Sequence, residues 1–425
     1  MIMMNNCNNK SCRLCGMIEH AYNTVTFYRN SVDISSQTIE LRNDPLGFLK
    51  TLPIIEKDDI KNNLKAFISD SFADTVNSNN TIIKTTSGST GKCLSVYWSR
   101  QDDLLTNYNA WKYRNKWYGV TTNDKYATFH TTFYVGNRFV ADKKIMVKNE
   151  KHISFNKTML SKSTCNDYIR SMNSFGVSVL LTQPSTLELL INSSNKESLC
   201  ILRNLKYIEL IGEYCSLEFL EYVKKELPSV FISNMYGTTE TGYVALTCRY
   251  GHQHVLDNAI VEVLNEDNVK SGSKGVILLT SLTNHTMPFI RYNIGDIGIL
   301  KKSSCPCGMN GDELIILQGR ESDRIQLPNN DEKSAYSLWY SIEKINSEFG
   351  NPIISYHFIQ KSKRSIVAYL SIKKEYLLWS RSIETALIET LKNDICSNID
   401  FAVLFVDYSF NSNKKMSFFE SQIHL

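Results

Sequence analysis

Between residues 177 and 233 the chain alternates short apolar, β-rich runs with segments of helical pattern. Residues 177–182 and 207–211 have the composition of strands, residues 216–227 have the pattern of a helix, and residues 230–233 form another apolar run. Strands that alternate with helices form parallel sheets, because a parallel connection needs a crossover that is usually helical. The sequence therefore predicts an α/β fold.

The flanking regions have different patterns. After residue 243 the chain shows short strands with turn signals, and after residue 318 it shows a mixture of helices and strands. The predicted strands are 255–265, 275–280, 298–300, 366–372 and 401–407, and the predicted helices are 334–345 and 382–395. We expect a large N-terminal domain, residues 1–318, with mixed and parallel sheets and a β-rich subdomain. A small α+β domain, residues 319–425, follows it.

Composition excludes several classes of protein. Hydrophobic residues make up 42% and charged residues 21% of the 425, which excludes a wholly disordered, collagenous or coiled-coil chain. The 47 basic and 43 acidic side chains give a net charge of +4, so electrostatics favour neither nucleic acid nor an anionic membrane as a partner. Because no apolar run approaches the roughly 18 residues of a membrane span and no signal-peptide pattern opens the chain, we expect a cytoplasmic protein.

Cysteine usage indicates reduced thiols. Eleven cysteines, an odd number, are spread through a long chain, so a metal site is more consistent with them than a disulfide framework. Cys7, Cys12 and Cys15 lie near His20, but their spacing matches no known zinc motif. We expect these three cysteines to belong to a terminal tail.

A hydroxyl-rich segment with two glycines and one lysine follows the apolar pair Ile82–Ile83. Glycines let backbone amides approach an anion, hydroxyls add donors, and a lysine adds a point charge, so such a loop suits phosphate. It is not a Walker A loop, because that motif has four residues between its glycines and a Ser or Thr after the lysine. The residues of this predicted phosphate loop are Thr85, Thr86, Ser87, Gly88, Ser89, Thr90, Gly91 and Lys92.

This loop resembles the phosphate loop of the ANL superfamily of adenylate-forming enzymes, and four later segments resemble its other motifs in the same order. These segments are Tyr236-Gly-Thr-Thr-Glu240, Arg291-Tyr-Asn-Ile-Gly-Asp296, Gly319-Arg320 with Asp323, and Asn413-Lys-Lys415. The segment from Asn284 to Tyr292 and Cys305-Pro-Cys-Gly308 resemble the phenylacetate-coenzyme A ligase and capsule-type adenylating branch. The resemblance spans residues 85–415.

The resemblance implies activation of a carboxylic acid by ATP to an acyl-AMP, release of pyrophosphate, and transfer of the acyl group. Catalysis must neutralise charge and align the carboxylate with the α-phosphorus, since both reactants are anions. By the resemblance, Lys92 and the loop hydroxyls hold the β- and γ-phosphates, and Glu240 ligates Mg²⁺. Carboxylate is a ligand that this hard cation prefers.

The same resemblance assigns the other nucleotide contacts. Thr239 contacts the α-phosphate, Asp296 accepts hydrogen bonds from the ribose hydroxyls, and Arg320 lies near the nucleotide where the small domain begins. A C-terminal lysine stabilises negative charge during adenylation, and its domain rotates away for the second step. Lys415 is the candidate, with Lys414 as the alternative. Tyr236 borders the adenine or acyl site, and the remaining predicted ATP-binding residues are Gly237 and Thr238.

The predicted acyl pocket consists of aromatic and glycine positions: Phe129, Phe133, Tyr134, Gly136 and Gly212. No Asp in this region could pair with an α-ammonium group, which favours a neutral carboxylic acid, although Glu213 leaves the question open. The acceptor is a thiol, of coenzyme A or of a carrier protein. An amine acceptor is the alternative, because residues 327–330 read Leu-Pro-Asn-Asn where coenzyme A ligases usually have a glycine.

A second signal comes from Cys248, Cys305 and Cys307 with His254. Three thiolates and one imidazole suit a closed, tetrahedral structural zinc site. His252 competes with His254 as the fourth ligand. A rival hypothesis for the whole chain is a degenerate relative that binds nucleotide without catalysis, motivated by the 327–330 loop and the ambiguous lysine pair.

Overall fold

The computed structural model of the chain describes residues 10–31, 37–73, 81–86, 94–130, 134–135, 138–139, 144–264, 272–320, 324–350, 352–406 and 418–423. The helices are α1 Lys10–Thr24, α2 Thr26–Ser31, α3 Thr38–Asn43, α4 Pro45–Thr51, α5 Lys57–Asn62, α6 Asp70–Ala73, α7 Arg100–Tyr118, α8 Cys165–Phe175, α9 Pro184–Asn192, α10 Lys196–Arg203, α11 Leu217–Glu226, α12 Tyr336–Phe349 and α13 Ser380–Asp394. Short 3-10 helices cover Leu64–Phe67, Lys157–Met159 and Lys374–Trp379.

The strands are β1 Thr81–Thr85, β2 Ser95–Ser99, β3 Tyr126–His130, β4 Tyr134–Val135, β5 Arg138–Phe139, β6 Ile145–Lys148, β7 His152–Asn156, β8 Val179–Thr182, β9 Tyr207–Ile211, β10 Phe231–Thr238, β11 Gly242–Thr247, β12 Gln253–Val255, β13 Ala259–Leu264, β14 Lys274–Ser281, β15 Tyr292–Ser304, β16 Asn310–Arg320, β17 Arg324–Gln326, β18 Glu332–Ser334, β19 Ile353–Ser362, β20 Ser365–Ile372, β21 Asp400–Phe405 and β22 Phe419–Ser421.

The chain divides into two compact units, each built from two stretches of sequence. Unit 1 contains residues Met1–Gly119 and Met235–Leu317, and unit 2 contains Val120–Asn234 and Gln318–Leu425. The predicted division into domains 1–318 and 319–425 shares the boundary near residue 318. The functional separation of those two domains stays a prediction.

Unit 1 contains the β1–β2 hairpin and a sheet in the order β13-β14-β15-β16-β12-β11-β10. The pairs β13–β14, β14–β15 and β10–β11 are antiparallel. The region after residue 243 is rich in strands, as its turn-rich sequence predicts. Two predicted strands have different bounds. The run 255–265 is divided between β12 and β13 by the turn that contains Asp257, and the run 298–300 belongs to the long β15.

The first 120 residues of unit 1 are mainly helical. Apolar side chains of α1 and α4, among them Leu14, Ile18 and Leu49, pack with Trp98 and Phe289 into one core. The predicted N-terminal tail is therefore wrong for the described part, because α1 begins at Lys10 and buries an apolar face. Cys12 is disulfide-bonded, so the expectation of reduced thiols does not hold for this residue, whereas the other cysteines that the structure describes are free.

Unit 2 contains the predicted parallel sheet. Strands β9, β8, β3 and β7 are adjacent in that order and parallel, and β6 adds an antiparallel edge strand beside β7. Helix α11 begins after Ser216, whose hydroxyl accepts a hydrogen bond from the Phe219 amide, and Pro184 opens α9. One face of the sheet packs on α8, α9 and α11 through residues such as Phe155, Leu187 and Val223.

The C-terminal stretch of unit 2 has a core of its own. Its four strands lie in the order β21-β20-β19-β22, with β19–β20 antiparallel and the outer pairs parallel. Helices α12 and α13 bury Ile342, Leu387 and Leu391 against this sheet. The predicted helices and strands after residue 318 are thus present, and the mixed α/β fold class is confirmed. Within the described residues, no helix has the length and apolar character that a membrane crossing requires.

Candidate active site and metal cluster

The predicted phosphate loop connects the two strands of the β1–β2 hairpin. Thr85 ends β1, and Thr86 and Leu94 form two hydrogen bonds: the Thr86 amide donates to the Leu94 carbonyl at 2.9 Å, and the Leu94 amide donates to Thr86 Oγ1 at 2.8 Å. The base of the loop is therefore closed by a reciprocal pair. Ser87, Gly88, Ser89, Thr90, Gly91 and Lys92 lie outside the described residues.

The Tyr236-Gly-Thr-Thr-Glu240 segment forms the end of β10 and the turn of the β10–β11 hairpin. A Cβ atom on Gly237 would lie 2.9 Å from the Gly242 carbonyl oxygen, so the close approach of the two strands requires glycine. Thr238 Oγ1 accepts a hydrogen bond from the Thr241 amide at 3.1 Å. This bond holds Thr239 and Glu240 in a tight, side-chain-supported turn.

The hairpin β1–β2 is joined to this turn by a tryptophan. Trp98, buried on β2, donates its indole N–H to the Thr239 carbonyl at 3.0 Å. The strand that follows the predicted phosphate loop therefore contacts the turn that carries Thr239 and Glu240. Sequence reasoning did not select Trp98, because a tryptophan in a β-branched run is typical of any core.

Tyr236 and Asp296, which belong to two different motifs, meet directly. The Tyr236 hydroxyl donates to Asp296 Oδ2 at 2.8 Å across 60 residues of sequence. Asp296 is half-buried. A carboxylate held in this way can accept hydrogen bonds from a pair of hydroxyls.

Glu240 is a buried carboxylate. It is 4% exposed, and Tyr292 donates its hydroxyl proton to Oε1 at 3.3 Å. Burial raises the pKa of Glu240, and a hydrogen bond from its own backbone, the Tyr292 hydrogen bond and the positive charge of Lys57 oppose that rise. A buried carboxylate of this kind is stabilised by a cation. Lys57 begins α5 and was not selected from the sequence, because no motif marks it.

Arg291, the first residue of its motif, forms hydrogen bonds to other protein groups through its buried side chain. Its backbone lies in the left-handed region at φ 49°, and its side chain is buried. Its guanidinium donates to the Lys50 carbonyl at 2.9 Å, to the Leu52 carbonyl, and to Glu262 Oε2 at 3.2 Å. The guanidinium therefore bonds to three protein groups, and two of these bonds anchor residues 50–52.

Of the predicted acyl-pocket residues, Phe129 and Gly212 are fully described. Phe129 is buried among aromatic side chains near the carboxyl end of β3, and Gly212 follows β9 at φ 87°. Tyr134 forms the short strand β4, whereas Phe133 and Gly136 lie outside the described residues. The sheet brings Phe129 and Gly212 to the carboxyl ends of parallel strands, where α/β proteins bind ligands.

A buried ion pair lies at the same strand ends. Lys157 Nζ is 3.3 Å from Glu213 Oε1, and the two side chains are only 5% and 6% exposed. Glu213 Oε2 also accepts the Ser185 amide in the first turn of α9 at 3.1 Å. Both carboxylate oxygens of Glu213 thus have protein partners.

The predicted hinge and C-terminal residues are only partly visible. Arg320 ends β16, and its side chain is not among the described parts. Asp323, Lys414 and Lys415 lie outside the described residues. Asn330, in the loop that lacks the usual glycine, lies at φ 68°, so an asparagine supplies the left-handed conformation there.

The four predicted zinc ligands come together. Cys248 follows β11, His254 lies on β12, and Cys305 and Cys307 lie in the turn between β15 and β16. Their ligand atoms all lie within 4.8 Å of one another, with Cys248 Sγ 3.6 Å from Cys305 Sγ and Cys307 Sγ 3.3 Å from His254 Nε2. Two thiolates bound tetrahedrally to zinc at about 2.3 Å lie about 3.8 Å apart. The cluster therefore has the dimensions of a tetrahedral site.

Burial shifts the pKa values of the side chains in this cluster. Burial raises the pKa of the Cys248 thiol to about 12 and also raises that of Cys307, and burial lowers the pKa of His254. Burial therefore favours the neutral forms of Cys248, Cys307 and His254. His252, the competing ligand in the sequence, instead bonds through Nδ1 to Glu313 Oε2 at 3.0 Å.

Solved structures with the same fold are acyl-activating enzymes. A 2-hydroxyisobutyryl-CoA ligase superposes with a TM-score of 0.71 at 12% identity, covering 97% of this chain and 89% of that chain. The acyl acid amido synthetase GH3.15 superposes with a TM-score of 0.54 at 11% identity, covering 93% and 86%. An anthranilate CoA ligase, AuaEII, gives 0.52 at 12% identity over 79% and 65%. At these identities the likenesses show the fold that this chain shares with those proteins.

The sequence assigns the family. Residues 10–285 match the sequence model of the AMP-binding enzyme family, and the chain belongs to that family. A 131-residue segment is 30% identical to the phenylacetate-coenzyme A ligase of Thermus thermophilus, covering 28% of this chain. That match spans 29% of the length of the relative. The resemblance to adenylate-forming enzymes of the phenylacetate-coenzyme A ligase type is confirmed.

Proposed function

We propose that this protein activates a carboxylic acid with ATP to an acyl-AMP, releases pyrophosphate, and transfers the acyl group to a thiol. The observation that carries the proposal is the meeting of three sequence-distant motifs. Trp98 joins the predicted phosphate hairpin to Thr239, and the Tyr236 hydroxyl reaches Asp296. Family membership supports the reading of this assembly as an ATP site.

In the proposed site, Asp296 accepts hydrogen bonds from the ribose hydroxyls and Tyr236 fixes its carboxylate. Lys92 and the loop from Thr85 to Thr90 hold the β- and γ-phosphates, and Thr239 contacts the α-phosphate. Glu240 fits Mg²⁺, because a buried carboxylate with one described hydroxyl donor is the type of ligand that this ion takes. The ion supplies charge neutralisation at the phosphates when bound.

The C-terminal residues have proposed roles in the change between steps. Lys415, or Lys414 beside it, stabilises negative charge during adenylation, and Arg320 lies near the nucleotide. Residues 319–425 act as a mobile domain. The separate core formed by Ile325, Leu387 and their neighbours supports this proposal, because a stretch with its own core can move as a body.

The substrate we propose is a neutral carboxylic acid. Glu213 is the acidic side chain beside Gly212 that could have bound an ammonium group, and its two oxygens bond to Lys157 and the Ser185 amide. Binding a substrate ammonium at Glu213 would require breaking this buried ion pair, at a cost of roughly 3–5 kcal/mol. An amino acid is therefore disfavoured as the substrate.

The acceptor we propose is coenzyme A. Asn330 at φ 68° adopts the conformation for which relatives use glycine, which removes the main argument against this acceptor. A carrier-protein thiol has the same chemistry and is a variant of the proposal. An amine is the second candidate, favoured by the structural likeness to an acyl acid amido synthetase.

Pyrophosphate exchange dependent on a carboxylic acid tests the activation step. A panel of aryl, alkyl and amino acids is assayed with the wild type and with Lys92→Ala, Glu240→Ala and the control Lys65→Ala, an exposed lysine outside the site. We expect exchange with a neutral acid, its loss in the first two variants, and its retention in the control. Tight ATP binding without exchange for any acid would instead support a non-catalytic nucleotide-binding protein.

Adding acceptors to the same reaction separates the transfer chemistries. Coenzyme A, a phosphopantetheinylated carrier protein and simple amines are supplied one at a time with the activated acid. Thioester formation with coenzyme A is the expected result. Product formation with an amine alone would contradict the thiol proposal while leaving the adenylation step intact.

We also propose that Cys248, His254, Cys305 and Cys307 bind a structural zinc ion. The sulfur and nitrogen donors, their spacing and their burial support this, and thiolate ligands suit a reducing compartment such as the cytoplasm. Metal analysis of the purified protein should give about one zinc per chain. Cys305→Ser should lose the metal and the matched control Cys200→Ser, at an exposed cysteine, should keep it. Unchanged zinc in Cys305→Ser refutes the site.

A further inference from the structure

Tyr292 and Glu240 form a buried pair that the predicted motifs do not connect. Tyr292 is 1% exposed and Glu240 is 4% exposed, and the phenolic oxygen lies 3.3 Å from Glu240 Oε1. A carboxylate taken out of water keeps a defined orientation only where a fixed donor holds it. The Tyr292 hydroxyl is such a donor, and it acts beside a hydrogen bond from the Glu240 backbone.

The position of Tyr292 is itself strongly constrained. The preceding residue, Arg291, has a left-handed backbone whose amide donates to Thr280 Oγ1 at 2.9 Å. Tyr292 forms a parallel β-bridge with Ile55, and its ring packs edge-on against Phe289 with centroids 5.2 Å apart. The β-bridge thus fixes the backbone of Tyr292, and the contact with Phe289 fixes its ring. Together they direct the hydroxyl toward Glu240.

We propose that Tyr292 is a positioning residue that holds the Glu240 carboxylate in one orientation for the Mg²⁺ that accompanies ATP. This inference rests on the proposed function, since it takes Glu240 as a ligand of that ion. Hydrogen-bond partners of metal ligands typically contribute about 10- to 100-fold to metal affinity. The 3.3 Å separation is long for an O–H···O⁻ bond, so the lower end of that range, about tenfold, applies here.

The test compares Tyr292→Phe with wild type by electron paramagnetic resonance of Mn²⁺, which replaces Mg²⁺, in the presence of a non-hydrolysable ATP analogue. Tyr292→Phe removes one hydroxyl and keeps the ring that contacts Phe289. We expect the apparent Kd of Mn²⁺ to rise about tenfold. In pyrophosphate exchange, the Mg²⁺ concentration for half activity should rise with it, and the rate at saturating Mg²⁺ should be unchanged.

Two further variants make the outcome decisive. Tyr236→Phe removes the matching hydroxyl that binds Asp296, so it should weaken binding of the analogue and leave the Mn²⁺ titration unchanged once the analogue is saturating. Glu240→Gln should abolish tight Mn²⁺ binding. If Glu240→Gln binds Mn²⁺ like the wild type, the proposed role of Glu240 fails. If Glu240→Gln loses Mn²⁺ and Tyr292→Phe does not differ from wild type, the positioning role of Tyr292 fails on its own.

Discussion

Gly242 ends the turn that carries Glu240, and we predict that Gly242→Ala is strongly destabilising. Its backbone lies at φ 74°, and a Cβ atom there would be 2.5 Å from Thr106 Oγ1 and 3.3 Å from Thr106 Cγ2 on α7. The left-handed conformation costs an alanine about 1–2 kcal/mol. Overpacking adds about 1–3 kcal/mol. The expected loss of unfolding free energy is therefore roughly 2–5 kcal/mol.

Two comparisons separate the backbone and packing contributions. Gly119 lies at φ 66° with no atom within 4 Å of its would-be Cβ, so Gly119→Ala should lose only the backbone part, about 1–2 kcal/mol. Thr106 Oγ1 is buried without a hydrogen-bond partner in the described structure, so Thr106→Ala alone should have a small effect. The double variant with Thr106→Ala should recover most of the packing loss of Gly242→Ala.

Urea unfolding of the four variants and the wild type, followed by circular dichroism, provides these free energies. The decisive quantity is the difference between Gly242→Ala and Gly119→Ala. Equal losses in those two variants, or no recovery in the double variant, would show that the contact with Thr106 does not determine the requirement for glycine.

Three further predictions concern both units. Lys157→Met should destabilise the protein by about 3–5 kcal/mol, because it leaves Glu213 buried without its cation. In urea unfolding, the double variant Lys157→Met with Glu213→Gln should recover most of that loss. Equal losses in the single and double variants would contradict the ion-pair explanation. Burial, with a smaller contribution from His130, lowers the pKa of His152 to about 4. The unfolded chain therefore takes up a proton below about pH 6.5 that the native protein does not, and the unfolding free energy should fall by about 2.5 kcal/mol as the pH drops from 6.5 to 4. His152→Asn should lack this decrease, and parallel pH profiles of the two proteins would refute it. Trp98→Phe removes the indole N–H that donates to the Thr239 carbonyl. It should destabilise the protein by about 1 kcal/mol and weaken ATP binding, which calorimetry measures. Unchanged ATP affinity would argue against a role of the Trp98–Thr239 hydrogen bond in ATP binding.

The sequence was informative wherever local pattern determines structure. The alternation of apolar runs and helical segments predicted β8, β9 and α11, because burial of a parallel sheet and the N-cap at Ser216 both leave local signals. The order of short motifs was sufficient to identify the enzyme family. The N-terminal helix α1 was missed, because its asparagine- and cysteine-rich start obscured the apolar face formed by Leu14 and Ile18.

Long-range contacts could not be predicted in the same way. Nothing local in the sequence shows that Tyr236 bonds to Asp296 or that Tyr292 bonds to Glu240, since each pair is separated by more than fifty residues. The choice between His252 and His254 likewise depends on the facing strand, where Glu313 accepts a hydrogen bond from His252. Spacing alone identifies a set of candidate ligands, whereas sheet register selects among them.

The left-handed Arg291 limits how its position can evolve. Glycine would relieve about 1–2 kcal/mol of backbone strain but would release the carbonyls of Lys50 and Leu52 and leave Glu262 unpaired. Lysine would keep the charge yet concentrate its donors on one nitrogen, so it could not span three partners in different directions. Glycine and lysine at position 291 should therefore each give a less stable protein. Arginine at this position is maintained by the architecture of unit 1, even in a descendant that had lost nucleotide binding.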